Sequence, residues 1–251
     1  MAEDKKFPSE IIDLPSKGKC YPKEHPCSNG KIEVKYMTAK EEDILTSQNL
    51  IKKGVVIDTL LDSLIITDGI TCDDLILGDK NAVMVASRIL AYGPEYECEV
   101  INPKTGETFQ HSFNLADCPF KEIDSKLAGG DTFSVTLPIS KKKVTFKLLT
   151  GREEKNIDNE IKAYKKTGSQ ISPELTTRLK NVIVEADGKS DRGSINEFVD
   201  TMLSRDSLFL RGELVKVSPD INLTQEIDIE GEVVTVDIPM TSNFFWPQAG
   251  K

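Results

Sequence analysis

The chain has 251 residues, a formal net charge of −9 and a sequence pI near 5.0. That balance speaks against nucleic-acid binding, because neutralising a phosphate backbone needs clustered Lys and Arg. Apolar residues make up 38%, charged residues 29% and aromatics 6%, which indicates a folded chain with much exposed surface, elongated or docked on partners, and not a disordered one.

Residues 1–31 carry prolines at 8, 15, 22 and 26 among glycine and lysine, and are expected to form an extended arm. Within it, IIDLPSKGKCYP offers apolar residues for docking on another surface. GKIEVKYM alternates apolar and polar residues and predicts a strand over Ile32–Met37. Thr38 and Glu41 have capping-box spacing; they open a helix running through Ile44, Leu45 and Gln48 to about Lys52, with Gly54 as its stop. VVIDTLLDSLI, with Val56, Leu60, Leu61 and Leu64, predicts a second helix. DKNAVMVASRIL (Asp79–Leu90) predicts a third, ended by Gly93 and Pro94.

YECEVINPKTGETFQHSFNL, from Tyr96 to Leu115, reads as a hairpin around its NPKTGE turn. FSVTLPI and VTFKLLT form a second strand pair across the lysine turn Lys141–Lys143. Thr150 and Glu153 repeat the capping box and begin a polar helix to about Lys166. Ser172 before Pro173 predicts a cap for a helix to about Glu185. Ser194 and Glu197 box another helix, and RDSLFLRGELVKV supplies one more. EIDIEGEVVTVDIPM alternates around Glu230 and Gly231, a hairpin pattern, before the terminal SNFFWPQAGK. The expected fold class is α+β, helices plus several antiparallel β-hairpins. Its regions are the arm (1–31), a mixed region with central hairpins (32–150), and a helical region ending in a hairpin and an aromatic tail (151–251).

Site chemistry is sparse. The chain has no Walker A, GxSxG or HExxH motif, and no GxGxxG follows a strand. Of its two histidines, His25 sits in the proline-rich arm, a poor scaffold for a precise site, and His111 in the hairpin. DGITCDDLILGD misses the oxygen pattern of a calcium loop at Ile70, Cys72 and Asp79; Asp73 and Asp74 suit a helix N-terminus. Structural zinc wants four N or S ligands, usually in two close pairs. Cys20 and Cys27 are seven apart, Cys98, His111 and Cys118 contain no close pair, and Asn102 and Thr105 stand where a knuckle would place cysteines. No catalytic, cofactor, metal or small-molecule site is therefore expected. Lys141–Lys143 and Lys165–Lys166 read as a turn and a solvated helix face. No run reaches the ~18 apolar residues of a membrane span. MAEDKKFPSEII lacks the apolar stretch of a secretion signal, and five scattered cysteines fit reduced thiols in a cytosolic compartment.

The positive signal is apolar. FFWP either tucks back onto the chain's own core or anchors in a partner's pocket, where large aromatics dominate binding energy. The candidate partner-binding residues are Leu14, Pro15, Gly18, Tyr21 and Pro22 in the arm, and Phe244, Phe245, Trp246 and Pro247 in the tail.

LPSKGKCYP, then MTAKEEDIL with NLIKKGVVIDTLL after it, then VDIPMTSNFFWP appear in an order that resembles the T-even-type (T4-like) contractile phage baseplate hub protein family, the gene-twenty-six product and its relatives. The likeness spans nearly the whole chain, and MTAKEEDIL with the following helix is its most specific piece. Relatives carry a CPxCG-like turn after a segment similar to RILAYGPEYE; here NPKTG takes its place, so a zinc role does not carry over. The resemblance implies a non-enzymatic structural or assembly protein of the baseplate hub. Its implied partners are hub, tail-tube or wedge proteins, met in the host cytoplasm during assembly and in the virion tail if it is retained. A transient assembly chaperone is the alternative; a small metal-dependent hydrolase has only the Cys/His scatter behind it.

Overall fold

In the computed structural model the described residues are 8–121, 130–166, 172–229, 231–240 and 244–246. They form eight α-helices and four small antiparallel sheets, the expected α+β class.

Residues 8–31 of the segment expected to extend as an arm fold back instead. Ser9–Asp13 (β1) pairs antiparallel with Lys31–Lys35 (β2), placing Ile12 opposite Ile32. The connecting loop closes through Leu14 N–H donating to Gly30 C=O at 2.8 Å. Gly18 makes this possible: its φ is +75°, and a Cβ there would lie 2.2 Å from the Ser28 carbonyl oxygen. Burying the loop's apolar residues against the chain itself outweighs the cost of ordering it, which the proline count alone does not reveal.

The Thr38–Glu41 capping box forms, with Thr38 N–H donating to Glu41 Oε2 at 2.9 Å. The single helix expected after it is two, Ala39–Thr46 (α1) and Gln48–Lys53 (α2). Ser47 between them takes extended ψ (104°); a β-branched residue followed by serine weakens the helix there. Val56–Leu64 (α3) buries Leu60, Leu61 and Leu64, and Leu77–Tyr92 (α4) runs two residues beyond the expected bounds at each end.

Glu95–Ile101 (β3) pairs with Thr108–Asn114 (β4) as the alternation predicts, with Tyr96, Cys98 and Val100 inward and Cys98 opposite His111. Asn102 shapes the turn by accepting from Lys104 N–H at 2.9 Å. Thr132–Thr136 (β5) pairs with Lys143–Lys147 (β6), and an unexpected third strand, Ile183–Ala186 (β7), joins them. The sequence predicts helix to Glu185, but after Gly151–Lys166 (α5) the helix Glu174–Val182 (α6) stops where Val182, Ile183 and Val184 form a β-branched run. Two expected caps also differ. Pro173, not Ser172, occupies the N-cap of α6, and Asp191, not Ser194, caps Arg192–Asp200 (α7) by accepting from Ser194 N–H at 2.9 Å. Ser204–Val217 (α8) precedes the terminal hairpin, Thr224–Ile229 (β8) with Glu232–Asp237 (β9). Asp228 Oδ1 accepts from Gly231 N–H at its tip, while Glu230 lies outside the described residues.

One apolar cluster runs from Leu14 to Phe245. The expected change of region at Thr150 is bridged: Ile76 pairs with Thr150, and Gly151 N–H donates to Leu75 C=O at 2.9 Å. Among the described residues no helix is long and apolar enough to cross a membrane.

Candidate functional site

Both candidate ends are organised by α4. Near its start Asp79, fully buried, holds the LPSKG loop: Oδ1 accepts from Ser16 N–H (2.9 Å), and Oδ2 accepts from Ser16 Oγ (2.6 Å) and Tyr21 Oη (2.7 Å). The Tyr21 oxygen in turn accepts from Ile76 N–H at 3.1 Å. Burial pushes the Asp79 carboxyl up, against hydrogen bonds that pull it down. Burial and then the neighbouring Asp79 raise the Tyr21 hydroxyl, so it stays a donor. His25 stacks on Tyr21 at 4.3 Å and accepts from Cys27 N–H at Nδ1; burial lowers its pKa. Burial pushes the Cys20 and Cys27 thiols up to about 12, leaving them protonated.

Near the end of α4 the buried Arg88 holds the aromatic tail. Its Nε donates to Phe244 C=O (2.8 Å), Nη1 to Gly93 C=O (3.0 Å) and Nη2 to Glu95 C=O (3.2 Å). Its guanidinium also sits 5.1 Å from the Tyr92 ring centroid and 6.0 Å from that of Tyr96. Phe244 meets Tyr96 edge-on at 5.1 Å and Phe245 at 5.2 Å. Asp79 lies in the first turn of the helix and Arg88 nearer its C-terminal end.

These contacts place the candidate partner-binding residues in the fold. Leu14, Pro15, Gly18, Tyr21, Phe244 and Phe245 are buried within the chain, Trp246 is half-buried and Pro22 exposed. Pro247 lies outside the described residues. The two ends are not brought together, since they seat at opposite ends of a 16-residue helix.

Asp58, Cys72 and Asp73 have ligand atoms within 4.8 Å of one another. Two lysines fill this space. Lys155 Nζ lies 2.8 Å from Asp58 and 2.7 Å from Asp73, and Lys80 Nζ lies 2.6 Å from Asp58. Burial raises the Cys72 thiol, which stays protonated. The cluster is an ion-pair node tying α3 to α4 and α5. Burial pushes the Asp58 carboxyl up, but hydrogen bonds from Lys155 and Lys80 outweigh it and hold it below its ordinary value. A folded-state pKa below the unfolded one stabilises at neutral pH and loses that contribution as pH falls through it. Lys155→Met is therefore expected to raise the Asp58 pKa in a carbon-NMR titration. It should also cost about 1 kcal/mol at neutral pH, with the loss fading in acid.

In the hairpin, His111 packs edge-on to Phe113 at 4.6 Å, and burial pushes the Cys98 thiol up to about 11.

A surface the sequence reading missed lies between α4, α6 and α8. A groove of about 210 Å³ is walled by Leu77, Leu149, Leu175, Leu179 and Leu214, with Arg211 beside them. Arg178 at its margin is paired with Glu154 at 2.6 Å. Leu208 and Val215, 63% and 61% exposed, stand on α8 at spacings of three and four from Arg211. That spacing was the available signal, hidden because RDSLFLRGELVKV also buries Leu210 and Val217 on its other face.

No curated protein and no solved structure matches the chain. A family model described as T4 bacteriophage base plate protein matches residues 8–246, a span that contains both the Asp79-held loop and the Arg88-held tail. The chain therefore belongs to the T4 bacteriophage base plate protein family and is a structural protein of the phage tail baseplate.

Proposed function

We propose that the chain is a non-enzymatic subunit of the central hub of the baseplate, assembled in the host cytoplasm with other hub, tail-tube or wedge proteins and retained in the virion. The family match over residues 8–246 carries this reading. The hub assignment within that family rests on LPSKGKCYP, MTAKEEDIL and the FFW tail, which all contribute to one core. The leucine-walled groove beside α8, open at Leu77 and Leu175, supports a role in assembly, because accessible apolar clefts receive a partner's anchoring side chains.

Quantitative mass spectrometry of purified phage particles tests it. A fixed copy number per tail, alongside hub proteins, is the expected result. Presence in assembly intermediates with loss from finished particles would instead establish the transient chaperone.

A further inference from the structure

We infer that the groove between α6 and α8 is the docking pocket for an amphipathic helical segment of a different baseplate protein, one that brings leucine-sized side chains and a single carboxylate to pair with Arg211. This rests on the baseplate reading above and adds the chemistry of the contact.

Size decides the class of occupant. At about 210 Å³ the groove falls below the roughly 300–1,000 Å³ of sites that enclose small molecules. It has room for one or two anchoring side chains, the usual unit of a protein contact. Leu77 and Leu175 are 41% and 44% exposed at its edge, so a partner can reach it without unfolding anything.

Charge decides the polar contact. Arg178 is neutralised by Glu154, whereas Arg211 has no acidic partner among the described residues. One unpaired guanidinium beside an apolar wall selects a segment carrying a carboxylate, which it can bind with two parallel hydrogen bonds.

Shape decides the form. On α8 the groove is lined by Arg211 and Leu214, and the exposed Leu208 and Val215 outside it stand three and four residues from Arg211, the ridge spacing that packs against another helix. They cover about 10 Å of α8, two turns of a partner. A second copy of this chain fits poorly, because each brings a net charge of −9.

A photo-crosslinking side chain placed at position 175 of the full chain, expressed during infection, reports the occupant directly. The expected product is a cross-link to another baseplate protein, through a segment with an Asp or Glu among apolar residues. Arg211→Glu and Leu175→Glu change exposed positions and should leave the melting temperature unchanged. Each should weaken association roughly thirtyfold, equivalent to a contact of about 2 kcal/mol. Reversing the partner's carboxylate to arginine should restore binding to Arg211→Glu. If both variants enter particles at the wild-type level, or the cross-link joins two copies of this chain, the docking pocket is overturned while the baseplate role stands. If the unsubstituted chain is absent from both intermediates and particles, the baseplate reading itself falls.

Discussion

Phe245→Ala is expected to lower the unfolding free energy of the isolated chain by about 3–5 kcal/mol, the range for deleting a buried phenylalanine. Phe245 is 2% exposed and meets the ring of Phe244, which is itself held by Arg88 and Tyr96. Removing its ring leaves a cavity, and neighbours fixed by three guanidinium hydrogen bonds have little freedom to close it. Trp246→Ala should cost about 1 kcal/mol, because that side chain is only half-buried. Urea denaturation of the purified monomer separates the two accounts of the tail. Normal stability with failed particle incorporation would mean that Phe245 serves a partner; a destabilised monomer is the result the geometry requires.

The contrast between tail and groove shows what the sequence could convey. Features set by neighbours in the chain were legible. The Thr38–Glu41 box spans three residues, and the β3–β4 hairpin follows from alternation and an Asn-Pro turn. The terminal hairpin is equally local. Strands whose partners are distant were not legible: β1 needs β2, and β7 needs β6 across the whole of α5 and α6. The polar clasps are more remote still. Asp79 lies 63 residues from Ser16, and Arg88 lies 156 residues from Phe244. Hydrophobicity announced that LPSKGKCYP and FFWP would be buried, but composition does not say against what. Leu14, Tyr21, Phe244 and Phe245 find their cover within their own chain, while Leu208 and Val215 of α8 stay exposed.

Asp79→Ala is expected to be as costly, about 4 kcal/mol, because it orphans Ser16 N–H and deprives two hydroxyls of their acceptor in a buried site, each at about 1–3 kcal/mol. Asp79→Asn keeps one acceptor oxygen and the shape, so it should cost only about 1–2 kcal/mol. The pH dependence of the difference between wild type and Asp79→Asn then reports how the loop is held. Burial, with a smaller contribution from Asp220, lifts the Asp79 pKa above its unfolded value. The stability that Asp79 adds is therefore full below the ordinary carboxylate range and declines as pH rises through the folded value. Lowered carboxyls elsewhere, such as Asp58 and Glu153, change in the opposite sense, but they are common to both proteins and cancel. Chemical denaturation from acid to neutral pH should show the advantage of wild type over Asp79→Asn shrinking. An advantage that grows instead would mean that the three hydrogen bonds outweigh burial, and that the loop is clasped by a carboxylate favoured in its charged form.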